Sequence, residues 1–104
     1  MQIQINTDKN VENSGRLSTY FSDEITSKLG RFDATVTRVE VHFGDENGDK
    51  FGTNDKRCVI EARIAQKQPV AVTDHAETLE KAFHNALDKI KKVLEKDHEK
   101  MRSH

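Results

Sequence analysis

The last third of the chain carries one long helical pattern, which limits the possible folds more than any other feature. At about 100° per residue, the apolar side chains between Asp74 and Lys100 fall on a single arc. A helix with one apolar arc must cover another apolar surface, such as one face of a β-sheet. The arc consists of Ala76, Leu79, Phe83, Ala86, Leu87, Ile90, Val93 and Leu94.

The segments before this helix have the patterns of a sheet and of one further helix. Alternation of apolar and polar residues predicts strands at residues 1–6, 35–43 and 57–64, and Pro69 opens a short fourth strand that runs through Val72. Between the first two strands, apolar residues recur at every fourth position and predict a helix over residues 13–30. These residues are Leu17, Phe21, Ile25 and Leu29.

Local signals predict where the helices and connections begin and end. Asn13 or Ser14 is a suitable cap for the first helix, and Gly30 is a suitable stop. Asp74 is predicted to cap the last helix, with Glu77 completing a capping box. Residues 44–54 are rich in Gly, Asp and Asn, which is typical of a long hairpin connection.

The predicted order is therefore β-α-β-β-β-α in an α+β fold. Three consecutive strands form a meander, and the crossover through the first helix allows the first strand to lie parallel to one of them. We predict a two-layer sandwich in which a four-stranded sheet carries both helices on one face. Residues 1–104 are expected to form one domain, with residues 101–104 as a frayed tail.

The charge pattern of the last helix is more informative than the charge of the whole chain. The net charge is −1, from 17 basic and 18 acidic residues, which argues against the strong global field of a typical nucleic-acid-binding protein. Five lysines nevertheless share one sector of the helix, spaced so that phosphates of a polyanion could lie along it. We call this set the lysine stripe: Lys81, Lys89, Lys92, Lys96 and Lys100.

Each basic set also has a purely structural interpretation. The lysine stripe could be an ordinary solvated face, because Glu77 with Lys81 and Asp88 with Lys92 have the i, i+4 spacing that stabilises exposed helices. Lys28 and Arg31, at the end of the first helix, could extend the stripe. A second candidate patch lies on the open face of the sheet, where cross-strand ion pairing is the favoured interpretation. It consists of Arg38, Arg57 and Arg63.

No catalytic, metal or cofactor site is visible in the sequence. Asp45, Asn47 and Asp49 are spaced like calcium ligands, but Lys50 and Lys56 stand where the glycine and the bidentate glutamate of such a loop belong. The histidines lack metal-ligand spacing, and Cys58 lies on the apolar side of a strand, where a thiolate is disfavoured. We expect no enzyme activity, no cofactor, no metal and no small-molecule substrate.

The sequence contains neither a secretory signal nor an apolar run long enough to span a membrane. A single cysteine excludes an internal disulfide and fits a reducing compartment. We therefore expect a cytoplasmic protein without a membrane partner.

Several segments together resemble a known family, the ribosome hibernation promoting factors and ribosome-associated inhibitor proteins, also described as sigma-54 modulation proteins or ribosome-associated protein Y. The resemblance covers nearly the whole chain. It rests on the opening residues 1–5, on residues 38–43 leading into 45–50, on 61–63, on 69–79 and on 86–90.

This resemblance implies a β-α-β-β-β-α domain similar to double-stranded RNA-binding folds, located on the small ribosomal subunit where messenger and transfer RNA pass. Family members thereby silence translation in resting or stressed cells. Their basic residues contact ribosomal RNA phosphates, and the matching positions here are Lys28, Arg31, Lys89, Lys92 and Lys96. Long members have a second domain that pairs ribosomes, and we do not expect that activity here.

The leading hypothesis from the sequence is a non-enzymatic RNA-binding module that associates with the small ribosomal subunit and its ribosomal RNA and modulates translation. We expect a monomer that does not bind DNA. The alternative, from a different class, is a protein-interaction module that uses the polar sheet face or the acidic sector of the last helix. This sector consists of Glu77, Glu80, Asp88 and Glu95.

Overall fold

The computed structural model describes residues 1–7, 15–45 and 56–102. It confirms the predicted order of elements. Strand β1 (Gln2–Thr7) is followed by helix α1 (Gly15–Leu29), a 3₁₀ turn (Gly30–Phe32), strands β2 (Val36–Asp45), β3 (Lys56–Ile64) and β4 (Val70–Ala76), and helix α2 (Leu79–Arg102). The predicted cap of α1 at Asn13 or Ser14, and most of the connection predicted over residues 44–54, lie outside the described residues.

The four strands form one sheet in the order β1-β2-β3-β4. Strand β1 runs parallel to β2, as the crossover through α1 allows, and the other two pairings are antiparallel. Since side chains alternate between the two faces of a strand, this register places the apolar residues of all strands on the same face. One such row across the sheet consists of Ile5, Val41, Ile60 and Val72.

The core is a single layer between that face and the two helices. Helix α1 packs on β1, whereas α2 packs on β3 and β4. Phe21 of α1, Phe43 of β2 and Phe83 of α2 meet at the centre, with the Phe21 ring 4.5 Å from the Phe83 ring and 4.7 Å from the Phe43 ring. The predicted two-layer sandwich with both helices on one face is therefore confirmed.

The two helices run in the same direction. Tyr20 in the first half of α1 contacts His84 in the first half of α2, with Tyr20 Oη 2.8 Å from His84 Nε2. After the end of α1, the Phe32 ring lies edge-on to the His98 ring at 6.0 Å. These contacts show that the flank of α2 that carries His84 and His98 faces α1.

The predicted start of the last helix was wrong. Asp74 does not cap α2, because β4 continues to Ala76, where it pairs with Lys56 of the long strand β3. The ladder hydrogen bonds from β3 outweigh the local capping preference of Asp74. Helix α2 begins at Leu79, and Thr78 Oγ1 accepts a hydrogen bond of 3.1 Å from the Lys81 backbone N–H. Thr78 is therefore the N-cap, and Glu77 precedes it.

This assignment predicts that Thr78→Ala destabilises the fold by about 1 kcal/mol, because the Lys81 N–H loses its acceptor. Urea unfolding followed by circular dichroism measures this change. Among the described residues, Glu77→Ala removes only the exposed 3.9 Å pair with Lys81, so a change within about 0.5 kcal/mol is expected. A larger loss in Glu77→Ala than in Thr78→Ala would contradict the cap assignment.

Candidate nucleic-acid interface

The lysine stripe lies on the flank of α2 that faces away from α1 and toward the edge strand β4. Lys89 shows this directly, because its Nζ lies 3.1 Å from Asp74 Oδ2 and 3.3 Å from the Thr73 carbonyl oxygen in β4. Lys81, Lys89, Lys92 and Lys96 are exposed. The backbone of Lys100 belongs to α2, but its side chain lies outside the described set.

Of the four stripe lysines whose side chains are described, two have acidic partners. The Lys89 ammonium is bound by Asp74, whose side chain is 21% exposed, so this pair is partly shielded from water. The Lys81 pair with Glu77 is long, at 3.9 Å, and both groups are exposed, so it contributes little. Lys89 therefore holds α2 against β4 as well as adding positive charge to this flank.

Lys92 and Lys96 differ from the other members. Among the described residues, no carboxylate forms an ion pair with either ammonium group. The i, i+4 pair of Asp88 with Lys92, which the solvated-face interpretation requires, is not formed between these two described side chains. These two lysines are one turn apart on α2, so their ammonium groups are available to neighbouring phosphates of one polyanion.

The Asp74–Lys89 pair affects the acid stability of the protein. Burial by itself raises the pKa of Asp74, but the Lys89 ammonium and the His75 backbone N–H, which donates over 2.7 Å, together lower the pKa below its ordinary value. A carboxyl with a lowered pKa in the folded state stabilises the protein above its unfolded-state pKa. This contribution disappears as the pH falls through the folded-state pKa.

We therefore expect Lys89→Met to raise the pKa of Asp74 and to start acid unfolding at a higher pH. Carboxyl chemical shifts in an NMR pH titration measure the pKa, and circular dichroism follows the unfolding. Lys92→Met is the control, because Lys92 does not contact Asp74. An Asp74 pKa that is unchanged in Lys89→Met would contradict the proposed role of the pair.

Lys28 and Arg31 do not continue the stripe. The structure places both near the C-terminal end of α1, beside the His84–His98 flank of α2, whereas the stripe lies on the other flank. Both side chains are exposed, and the Arg31 guanidinium lies over the Phe32 ring, 4.7 Å from its centroid. They form a separate basic region at the end of α1.

One basic residue near this region was missed in the sequence. Lys91 is half-buried and, by its helical angle, lies on the flank of α2 that faces α1. The sequence contains a signal for the position of Lys91, because His84, Lys91 and His98 follow one another at intervals of seven residues and so lie on one side of the helix. Lys91, and not a member of the lysine stripe, is therefore the basic residue of α2 that lies on the same side as Lys28.

The arginines on the open face of the sheet are held by their neighbours. Arg38 Nε lies 3.0 Å from Glu40 Oε1, and the rest of its guanidinium donates to Gln2 and Gln4. Arg63 Nε lies 3.5 Å from Glu61 Oε1.

Ion pairing between neighbouring strands was the favoured interpretation of these arginines. Both arginines form ion pairs, but the prediction that their partners lie on a neighbouring strand was wrong. The register places Arg38 opposite Arg63 and Glu40 opposite Glu61, so opposite charges meet along each strand and not across strands.

Arg57 is the third arginine of this patch, and it lies against Gly44. A Cβ built at Gly44 would be 2.6 Å from Arg57 Nη2, so the glycine permits this close approach. The three arginines occupy the sheet face opposite the helices, and the structure does not bring them together with the lysine stripe. They are weaker candidates for phosphate contacts than Lys92 and Lys96.

The remaining chemical groups have structural roles. The Asp45 carboxylate is 2.5 Å from Lys56 Nζ, and the other residues of the calcium-like loop lie outside the described residues. Burial and, secondarily, the nearby Asp74 carboxylate raise the pKa of Cys58 to about 12, so its thiol is protonated at neutral pH. Within the described segments, no three His, Cys, Asp or Glu side chains are placed to hold a metal ion.

A family profile described as sigma 54 modulation protein / S30EA ribosomal protein matches residues 3–102. The chain belongs to this family. The resemblance predicted from the sequence is therefore confirmed, and the match extends over nearly the whole chain. No curated protein sequence matches the chain at a significant level.

Solved structures with the same fold are found among relatives of this family. The N-terminal domain of Thermus thermophilus protein Y is 18% identical with a TM-score of 0.73, covering 92% of this chain and 98% of that domain. A ribosomal subunit interface protein from Coxiella burnetii is 15% identical with a TM-score of 0.71, covering 94% of this chain and 98% of that protein. At such identities the likeness establishes the fold.

The S30EA family is a family of ribosome-associated proteins. In the described part of the chain, neither helix is long and apolar enough to cross a lipid bilayer. The exposed lysines of α2 are therefore candidate contacts for a ribosomal partner.

Proposed function

We propose that this S30EA-family protein binds the small ribosomal subunit in the cytoplasm through phosphate groups of ribosomal RNA and thereby modulates translation in resting or stressed cells. One observation carries the proposal. Lys92 and Lys96 are exposed on one flank of α2, and no described carboxylate neutralises them. Ammonium groups on a rigid helix, spaced along one line, suit contacts with successive phosphates.

Family membership supports the ribosome as the partner. The Coxiella relative is named a ribosomal subunit interface protein, which fits a binding site on a subunit surface. The near-neutral net charge means that attraction to RNA is local, so the orientation of α2 decides whether contact forms. Binding acts by occupying the ribosome, and the protein needs neither catalysis nor a cofactor.

The proposal requires strong salt dependence. With about four to six phosphate contacts, the log–log slope of affinity against salt concentration is expected to be roughly −3 to −5, since each contact contributes about −0.7 to −0.9. Lys92, Lys96, Lys89 and Lys81 supply up to four of these contacts. The separate basic region formed by Lys28 and Arg31 can supply others.

Sucrose-gradient fractionation of a stationary-phase lysate at low and high salt tests the proposal. The protein is expected to migrate with small subunits at low salt and to remain at the top of the gradient at high salt. Migration at the top under both conditions would refute ribosome binding. Migration with subunits that does not change with salt would instead support the protein-interaction module as the mode of binding.

A further inference from the structure

An open, solvent-facing cavity of about 690 Å³ lies between the turn that joins β3 to β4 and the C-terminal half of α2. Its apolar part is formed by Ile64, which is buried, and Val70, which is half-buried. Its polar part is formed by Gln66, Lys67, Gln68 and Asp97. Binding sites for small molecules combine apolar surface with polar groups that fix the orientation of the ligand, and this cavity offers both.

The turn has an unusual backbone at Gln66. The Lys67 backbone N–H donates a hydrogen bond of 3.1 Å to the Ile64 carbonyl oxygen, which closes a four-residue turn. Gln66 occupies the third position with φ 65°, a left-handed conformation that glycine adopts more easily. Strained residues of this kind are concentrated at functional sites, where a side chain is kept despite its cost.

An ion pair fixes the wall of the cavity. Lys67 Nζ lies 2.8 Å from Asp97 Oδ1, and this partly exposed pair links the turn to α2. The amides of Gln66 and Gln68 are exposed and make no hydrogen bond with another described residue. The cavity therefore presents two exposed amide groups to a ligand.

This cavity adjoins the lysine stripe. Asp97, which forms its wall, directly follows Lys96 on α2, and Lys92 is one turn earlier. An RNA strand whose phosphates contact Lys92 and Lys96 therefore lies within about two helical turns of Asp97 along α2. An unpaired base of that strand can turn into the cavity while its backbone stays on the lysines.

We propose that the cavity receives one unpaired adenine of the RNA that the lysine stripe binds, and this inference rests on the proposed function. The amide of a glutamine can accept a hydrogen bond from adenine N6 and donate one to N7. One face of the base would pack against Val70 and the small exposed part of Ile64. The lysines then supply affinity that does not depend on sequence, and the glutamines supply a preference for one base.

Fluorescence anisotropy with short RNA hairpins tests this inference. One hairpin carries a single bulged adenine, the second a bulged uridine, and the third has no bulge. The wild-type protein is expected to bind the adenine hairpin about tenfold more tightly than the uridine hairpin. In Gln66→Gly and in Gln68→Ala this preference should fall, while the remaining affinity keeps its salt dependence.

The Gln66→Gly variant also separates binding from folding. Relief of the left-handed strain should raise its Tm by roughly 3 °C, so weaker adenine preference cannot be attributed to unfolding. Gln2→Ala, which removes an exposed amide from the opposite face of the sheet, is the control and should keep the preference.

Equal binding of all three hairpins by the wild-type protein would overturn the adenine site and leave the proposed function standing. A preference that survives in both Gln66→Gly and Gln68→Ala would also overturn it. Absence of binding to every hairpin, together with no migration with small subunits, would refute the proposed function itself.

Discussion

Replacing both Lys92 and Lys96 with glutamate is expected to lower affinity for the small ribosomal subunit by at least about tenfold, and to reduce the magnitude of the salt slope by about 1.4 to 1.8. The reason is that each lysine is proposed to neutralise one phosphate, and the substituted carboxylate repels it. Cosedimentation with purified subunits over a series of salt concentrations measures both quantities. Lys89 is left unchanged because it also binds Asp74 in β4.

A matched control separates the position of the charge from its total. Arg63→Glu alters the net charge by the same amount as either single lysine variant, but on the open face of the sheet, where Arg63 is paired with Glu61. It should leave the affinity within about twofold. If Arg63→Glu weakens binding as much as Lys96→Glu, the lysine stripe is not the interface.

Phe83→Ala is expected to destabilise the fold by about 3–5 kcal/mol, the largest effect on stability among the changes considered. Phe83 is fully buried, its ring packs against Phe21 at 4.5 Å and lies 6.3 Å from that of Phe43, and it joins both helices to the sheet. Since domains of this size are stable by only about 5–15 kcal/mol, much of the protein would unfold at moderate urea concentrations. Urea denaturation gives the free energy of unfolding.

Val93→Ala on the same helix is the control for this prediction. Val93 is 36% exposed, so truncation leaves little cavity and should cost less than about 1 kcal/mol. A loss in Val93→Ala as large as that in Phe83→Ala would mean that the aromatic cluster is not the centre of the core.

Membership in the S30EA family and the order of elements were predictable because the evidence for both is spread over the whole chain. Apolar residues alternate in the strands and recur every three or four residues in the helices, and these periods survive in almost any context. Element boundaries were less predictable, as Asp74 shows. It satisfies the local rules for a helix cap, yet it lies in β4 because β3 offers it a hydrogen-bonding partner.

The candidate site was also predictable only in part. The angle of 100° per residue was sufficient to group the lysines of α2 and could have placed Lys91 on the other flank. It could not show that Asp74 binds Lys89, or that the open-face arginines pair along their strands. The cavity beside Gln66 had no signal in the sequence, because a left-handed glutamine and an ion pair between Lys67 and Asp97 follow no local pattern.

The sequence by itself therefore determined the two-layer fold, the family and which lysines share one side of α2, because hydrophobic and charge periodicity are properties of neighbouring residues. Only the tertiary structure decided where β4 ends, which lysines remain without an acidic partner among the described residues, and that α1 packs on the flank opposite the lysine stripe. These features depend on contacts between residues far apart in the chain, and no local pattern encodes the distance between such residues.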